Sequence, residues 1–340
     1  GYFVLNTMRK IDKLLYSLLR TCWNVLACFP FWFHYFMSDC LYILVRYVVK
    51  YRLKIVRGNL ESSFPEKSEE ELARLVNDFY HWFCDYIAET VRFSAMSKEQ
   101  LMRRMVFTGT DLIDKYVAEG RSCGVYLGHY GQWEWITSLP LWLRSNGLCT
   151  QIYHPLENPV FDKLFKVTRE KNGAVCVSMQ ESLRKTIKYQ QEGQPIVMGY
   201  IADQVPNWFN IHHWLDFLNH DTPVFTGSER IMKRMNQVVF YASLSRKGRG
   251  YYQCDFQLLT DKAKEFEDYR ITDMYFQRLE QSIRKDPSMY LWSHNRWKRT
   301  RAEFEMRYDR ETGKYHMGPI EDVIKQYEGR QRRRNEQGRE

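Results

Sequence analysis

The heptapeptide GHYGQWE at residues 128–134 carries the side chains best suited to chemistry. His129 follows an apolar run at residues 123–127, and Glu134 comes five positions later, across glycines that permit a tight turn. An imidazole accepts a proton near neutral pH, and a carboxylate on its second nitrogen fixes the tautomer and stabilises the cation that forms. Because the heptapeptide contains no serine or cysteine nucleophile, we expect His129, oriented by Glu134, to act as a general base on a substrate hydroxyl.

The elements that must position His129 alternate along the chain. The expected strands are residues 124–127, 149–153, 175–177, 196–200 and 238–244. The expected helices between them are residues 133–144, 161–171, 181–191 and 227–235. Such alternation predicts an α/β fold with a mostly parallel central sheet flanked by helices. Sites in such sheets form at the carboxyl ends of strands, which is where His129 falls.

A second polar pair, Asp203 and Gln204, follows the expected strand at residues 196–200. Its place at a carboxyl end favours a substrate-binding role over a loop pair that bonds only its own backbone. An aromatic-rich loop comes next, at residues 206–217, and would cover an apolar ligand or pack in the core. The adjacent His212 and His213 point in different directions and are a poor metal pair, so no metal site is predicted.

Other segments predict local structure. Ser68 with Glu71, and Thr226 with Glu229, have the spacing of capping boxes. The first opens an amphipathic helix that we expect to reach about residue 93. Glu89 lies late in that helix and is expected to be an ordinary surface charge. Residues 251–259 alternate less regularly and are expected to form an edge strand.

The amino-terminal residues predict membrane contact. Residues 21–37 carry no full charge but are interrupted by Pro30 and His34, and five cations follow between residues 46 and 57. We expect a membrane-associated helical segment at residues 1–60, with a true span, a surface attachment and a buried helical hairpin left open. The chain begins at Gly1 without a small-residue cleavage site, so no signal peptide is expected. An enzyme domain at residues 61–320 and a polar tail at 321–340, frayed or helical, complete the predicted organisation.

The composition favours an anionic partner. The net charge is +9, aromatic residues make up 16% of the chain, and the eight cysteines are scattered without a zinc spacing. Reduced thiols in a cytosol-facing protein fit this pattern. Four cations between residues 296 and 301, flanked by Trp292 and Trp297, suit phosphate-bearing lipid headgroups. A nucleic-acid patch is the weaker interpretation because no nucleic-acid motif accompanies these cations.

GHYGQWE and several further segments resemble the lipid A biosynthesis lauroyl/myristoyl acyltransferases, a family of lysophospholipid acyltransferase-like enzymes whose pattern is His-x4-Asp/Glu. The further segments are residues 58–61, 64–68, 153–159, 202–204, 222–227 and 291–298. The resemblance implies a glycerolipid acyltransferase-like fold. It also implies transfer of a fatty acyl chain from acyl carrier protein to a hydroxyl of an anionic lipid A precursor. The implied location is the cytoplasmic face of the cell inner membrane, and no bound cofactor is implied.

One position departs from the resembled pattern. Relatives commonly carry arginine in a Tyr-Arg-Pro-Leu string, where this chain has His154. A neutral imidazole lacks the fixed charge and planar fork of a guanidinium. The donor for the oxyanion or phosphate is therefore open among His154, Arg169, Arg184 and Arg230, while the resemblance places Asp203 and Gln204 beside the cleft.

Two alternatives remain open at the level of sequence. The same chemistry could acylate a lysophospholipid, a mannosylated lipid or an aminolipid. A non-catalytic membrane lipid-binding protein is the alternative from another class. Acyl length and the acylated hydroxyl are not predicted.

Overall fold

Seven strands form one sheet at the centre of the chain. The computed structural model describes residues 10–337; residues 1–9 and 338–340, parts of the predicted amino-terminal segment and tail, lie outside the described residues. The helices are α1 (Lys10–Cys28), α2 (Phe31–Ile43), α3 (Leu53–Ser63), α4 (Glu69–Phe93), α5 (Lys98–Arg104), α6 (Thr110–Ala118), α7 (Pro159–Glu170), α8 (Ser182–Gln191), α9 (Gly227–Arg234), α10 (Arg270–Lys285), α11 (Arg301–Arg307) and α12 (Ile320–Gln337). The strands are β1 (Met105–Thr108), β2 (Cys123–Leu127), β3 (Leu148–Tyr153), β4 (Val175–Ser178), β5 (Ile196–Ile201), β6 (His213–Phe217), β7 (His220–Val224), β8 (Val238–Gly248), β9 (Tyr251–Thr260), β10 (Tyr308–Asp309) and β11 (Lys314–Tyr315).

The sheet confirms the predicted α/β class. Its strand order is β1-β9-β8-β2-β5-β3-β4, and every neighbouring pair is parallel except β8 and β9. The expectation that residues 251–259 form an edge strand is wrong, because β1 pairs with the outer side of β9. β1 has four residues, too few to show a periodic signal in the sequence. The predicted aromatic loop also contains structure, since β6 and β7 form an antiparallel hairpin there.

The two predicted capping boxes have different outcomes. The Ser68 hydroxyl accepts from Glu71 N, and the Glu71 carboxylate accepts from Ser68 N, so α4 begins as predicted. Thr226 makes no side-chain cap bond, so the second box is wrong. Its partner Glu229 instead accepts from the backbone and hydroxyl of Thr272 on α10, at 2.8 and 2.5 Å. A tertiary partner has replaced the local one.

The amino-terminal helices break where Pro30 lies. Taken together, the segments Asp12–Cys28 and Phe31–Val48 have the length and composition of a membrane span, but they are bent by 112° at the break. Among residues 10–337, no single helix is long and apolar enough to cross a bilayer. A short π-helical turn, Leu44–Val48, extends α2. α1 packs on α7, where Tyr16 lies in a small cluster with Val160 and Leu164.

The predicted polar tail is helical as far as Gln337. Arg330 on α12 donates to the Met306 carbonyl oxygen of α11 at 2.5 Å and pairs with Asp309. The tail is therefore attached to the short β10–β11 hairpin and α11 rather than to the central sheet.

Candidate active site

Two neighbouring parallel strands bring His129 and Asp203 together. β2 and β5 pair in a register that sets Leu127 beside Ile201, and each polar residue lies two positions beyond its strand. His129 Nδ1 lies 2.7 Å from Asp203 Oδ1, and His129 N donates to Asp203 Oδ2 at 3.0 Å. Both oxygens of one carboxylate therefore hold the imidazole and its backbone.

The electrostatics of this pair suit a general base. Burial alone would raise the pKa of Asp203, but the attraction and hydrogen bonds of His129 lower it below its ordinary value. Asp203 is 2% exposed, whereas the His129 side chain is 20% exposed. Gln204 Nε2 lies 3.3 Å from His129 Nε2. An ionised Asp203 favours a proton on Nδ1, which leaves the Nε2 lone pair for a substrate proton.

The expectation that Glu134 orients the imidazole is wrong. The buried Glu134 carboxylate accepts from Arg169 Nε at 2.7 Å and from Arg169 Nη2 at 2.6 Å. The turn that follows His129 is a 3₁₀-helix, Trp133–Leu141, which carries Glu134 towards α7, while Asp203 already occupies Nδ1. Burial would lower the pKa of Arg169, but Glu134 raises it above its ordinary value. Glu134 thus contacts a guanidinium and not the imidazole.

A cavity of about 510 Å³ opens beside both pairs. Its polar lining includes His129, Glu134, His154, Arg169 and Gln204, together with Gln151, Thr150 and Thr137. Most of the remaining lining is apolar, from strands β2, β3 and β5, the 3₁₀-helix and α7. A largely apolar pocket with a few converging polar groups is the usual form of a substrate site.

The other residues considered as hydrogen-bond donors to an anion lie in different places. His154 lines the cavity, is exposed, and places Nδ1 2.9 Å from the Pro155 carbonyl oxygen. Arg184 is bonded to Glu181 on the surface, and Arg230 is exposed on α9. Neither is among the described residues that line this cavity. Arg169 is therefore the guanidinium that the fold brings to the site.

The glycines and the segment after α10 fix the turn that carries His129. Gly131 has φ of +61°, which favours glycine, and a Cβ on Gly128 would lie 2.7 Å from Leu279 Cδ1. Leu291 N donates to the His129 carbonyl oxygen at 3.1 Å, and Gly131 N donates to that of Met289 at 2.9 Å. Both ends of the turn are thus bonded to residues 289–291.

Asn59 on α3 holds the same segment from the other side. Its Nδ2 donates to the carbonyl oxygens of Trp292 at 2.8 Å and His294 at 3.0 Å. His294 Nε2 accepts from Val205 N at 3.2 Å, and burial lowers the pKa of His294 to about 4, which keeps it neutral. Two segments noted in the sequence, residues 58–61 and 291–298, therefore brace the loops of His129 and Asp203.

The predicted strip of four surface cations at residues 296–301 is formed only in part, because Lys298 and Arg301 are exposed whereas Arg296 is buried. Arg296 is 1% exposed, and its Nη2 donates to the Pro223 carbonyl oxygen at 2.7 Å. Arg301 makes a bidentate ion pair with Asp221. Burial disfavours the charge of Arg296 and lowers its pKa, and its bond to Pro223 compensates only in part, a placement that charge counting cannot detect.

Glu89 is a buried part of the site, and the expectation of a surface charge is wrong. It is 0% exposed and accepts from Gln132 Nε2 at 2.9 Å, Tyr252 OH at 3.0 Å and Tyr35 OH at 3.2 Å. Burial raises its pKa to about 7, while the bond from Gln132 opposes the shift. Its spacing of three residues from the apolar Tyr86 on α4 is the sequence signal that could have found it.

Comparisons with known proteins identify the family to which the chain belongs. A family model described as bacterial lipid A biosynthesis acyltransferase matches residues 5–299, and the chain belongs to that family. The chain is also similar to a lipid A biosynthesis acyltransferase of Haemophilus influenzae, with 22% identity over 216 residues. That match covers 63% of this chain and 66% of the relative, just under two thirds of its length. The resemblance found in the sequence is confirmed.

Proposed function

We propose that this protein transfers a fatty acyl chain from the thioester of acyl carrier protein to a hydroxyl of a lipid A precursor. One observation carries the proposal: an imidazole held by a buried carboxylate stands at the mouth of a largely apolar cavity. Family membership supports the acyl transfer and the lipid A acceptor. The excess of positive charge supports an acidic carrier protein as donor.

The reaction needs a base that acts on an alcohol. His129 Nε2 takes the proton of the acceptor hydroxyl while its oxygen forms a bond to the thioester carbonyl carbon. Asp203 stabilises the imidazolium that forms. The tetrahedral oxyanion then collapses, the carbon–sulfur bond breaks, and the imidazolium returns its proton to the leaving thiolate. Gln204 Nε2, which lies beside Nε2 in the free protein, is well placed to donate to the oxyanion once the hydroxyl has entered.

Arg169 is the proposed anion contact. Glu134 uses Nε and Nη2 of the guanidinium, and Arg169 lines the cavity with 23% of its side chain exposed. A phosphate of the donor or acceptor would find a fixed positive charge there. In this proposal His129 is the catalytic base, Asp203 orients it, and Glu134 is a positioning residue for Arg169.

We further propose that the protein works at the cytoplasmic face of the inner membrane. Large apolar side chains are exposed on α1, α2 and the π-helical turn, including Leu14 (75%), Trp32 (70%) and Val48 (69%). Leu156 and Phe161, near the cavity mouth, are exposed too. Because α7 packs on α1, the mouth and this apolar surface lie on connected elements, which suits lateral entry of a lipid.

Vesicle flotation tests the membrane proposal. A variant with Leu14→Gln, Trp32→Gln and Val48→Gln, which removes apolar contact without adding charge, should lose most binding to vesicles rich in anionic lipid. Met317→Gln, which makes an exposed apolar position on another segment polar, serves as the control and should bind like the wild type. Equal flotation of the triple variant and the wild type would contradict the proposal.

An acyl-transfer assay tests the function. Purified protein, acyl carrier protein loaded with a labelled acyl chain, and a lipid A precursor should yield a lipid heavier by one acyl group in the mass spectrum. His129→Ala should abolish that product while the protein stays folded. Lysophospholipid and aminolipid acceptors, run in parallel, distinguish the alternative substrates. Product from one of these and none from the precursor would change the acceptor, and no transfer to any acceptor would overturn the enzyme assignment.

A further inference from the structure

The floor of the cavity is a face of the central sheet. Ile201 lies beside Leu127 at the His129 end, and Gly199 lies beside Val125 two residues deeper. Val197 and Cys149 form the next row, and all of these residues except Cys149 belong to β2 or β5. At about 3.3 Å per residue, the floor from Ile201 to Val197 is about 13 Å long.

Of the three β5 residues in these rows, Gly199 is the one without a side chain, and it lines the cavity. A Cβ built there would meet Leu127 Cδ2 at 3.6 Å and the Thr150 carbonyl oxygen at 3.8 Å, which are ordinary contacts. Gly124 on β2 is the opposite case. A Cβ there would lie 2.7 Å from Gln237 Oε1 and 2.9 Å from Met232 Cε.

The two positions therefore carry glycine for different reasons. Gly124 faces away from the cavity, where α9 packs so closely on the sheet that a side chain is excluded. Gly199 lies on the cavity side of the sheet, where the surrounding protein atoms leave room for a side chain. A glycine inside a strand weakens it, and a common reason is the close approach of a ligand.

We propose that Gly199 sets the length of the acyl chain that the cavity accepts, by leaving the lower half of its floor open. The inference rests on the proposed function, because it takes the occupant to be the donor's acyl chain. The reacting carbonyl must lie at His129, so the chain runs from the row of Ile201 past Gly199 towards Val197.

The depth fixes an approximate chain length. An extended chain advances about 1.2 Å per bond, as the spacing of an extended backbone shows. About 13 Å of floor then accommodates about 11 bonds of the chain beyond the row of Ile201, in addition to the carbons between that row and the carbonyl at His129. A large side chain at position 199 would obstruct the passage about 7 Å below Ile201 and hinder entry of longer chains.

A graded series of substitutions tests the inference. Gly199→Ala, Gly199→Val and Gly199→Leu would be compared with wild type on acyl carrier protein loaded with saturated chains from octanoyl to palmitoyl. Gly199→Leu should lower the ratio of kcat/KM for dodecanoyl over octanoyl donors by about 10- to 100-fold, with alanine and valine in between. Val197→Ala, at the lower end, should shift the preference towards longer chains. Gly329→Ala, on α12, where an added Cβ meets nothing within 4 Å, is the control and should leave the profile unchanged.

Two further measurements distinguish a misfolded variant, a failure of the proposed function and a failure of the inference about Gly199. Melting temperature shows whether each variant folds, and Gly199→Val should melt at or above wild type because valine suits a strand better than glycine. Thermal stabilisation by the free fatty acids of the same series reports chain binding without turnover. If the variants bind fatty acids with a length preference that depends on residue 199 but transfer no acyl chain, the proposed function is refuted and the role of Gly199 is kept. If folded Gly199→Leu transfers acyl chains with the same length preference as the wild type, Gly199 does not set the chain length. The same conclusion follows if the proteins neither bind fatty acids nor transfer acyl chains.

Discussion

The two halves of the 128–134 turn are held by buried carboxylates in opposite electrostatic settings. His129 is bonded to Asp203, whose pKa is lowered because its partner can carry a positive charge. Gln132 is bonded to Glu89, which meets only uncharged donors there and whose pKa burial raises to about 7. Burial is common to both, so the partner decides whether a carboxylate supports proton transfer or braces the backbone.

The largest effect should follow from Asp203→Asn. The carboxamide keeps the shape of the side chain but removes the charge that fixes the tautomer and stabilises the imidazolium, so kcat should fall by about 10³- to 10⁴-fold. Acyl-transfer kinetics over a range of pH measure the loss, and circular dichroism verifies the fold. If Asp203→Asn turned over at nearly the normal rate, Asp203 would only brace the backbone, as Glu89 does, and would not support proton transfer.

A smaller loss, about 10²-fold, is expected for Glu134→Gln and for Arg169→Gln, because each leaves the other partner misplaced at the cavity. If the two act as one unit, the double variant should be no slower than either single variant. Steady-state kinetics of all three measure this coupling. Full activity of a folded Glu134→Gln protein would show that the pair has no part in the reaction.

Glu89 should affect stability and its pH dependence rather than chemistry. With an ordinary pKa of 4.5 and a folded pKa of about 7, the folded protein keeps a proton that the unfolded chain has lost. The free energy of unfolding should therefore fall by about 3 kcal/mol as the pH rises from about 4.5 to about 7, and stay lower above that. Glu89→Gln should flatten this slope.

Urea unfolding at several pH values checks the Glu89 prediction. The exposed Glu267→Gln is the matched control and should keep the wild-type slope. An unchanged slope in Glu89→Gln would mean that Glu89 ionises in the folded protein as it does in the unfolded chain.

The smallest effect should come from Asn59, which touches the catalytic turn only through residues 292–294. Asn59→Ala removes two hydrogen bonds, each worth about 1 kcal/mol, and should lower kcat about tenfold without moving the pH profile. Ser62→Ala on the same helix, whose hydroxyl bonds only within α3, is the control. A shifted pH profile in Asn59→Ala would show that the brace also tunes the base.

The sequence was sufficient for the parts of the fold that depend on local signals. Alternating apolar runs predicted the strands around His129, and the Ser68 box predicted the start of α4. The partner of His129 was not predictable in the same way, because β2 neighbours β5 although β3 and β4 lie between them in the chain. Asp203 was recognised as a site residue, but only the strand order shows that it, and not Glu134, reaches the imidazole.

The same reason explains the errors at buried charges. The sequence predicts surface positions for Arg296 and Glu89 because charged side chains are seldom buried. Their burial depends on groups far away in the chain, such as the Pro223 carbonyl oxygen and the Tyr252 hydroxyl. Local spacing carries no information about such partners.

All eight cysteines, which lie within residues 10–337, are free, and they divide by location. Cys22, Cys28 and Cys40 are exposed on α1 and α2, and the other five are buried. Burial raises the pKa of Cys84, Cys123 and Cys149 to about 12, so their reactive thiolates are scarce. A maleimide dye or nitroxide label would therefore attach to the bent amino-terminal pair alone, which gives the unaltered protein its own probes for testing whether these helices enter a bilayer.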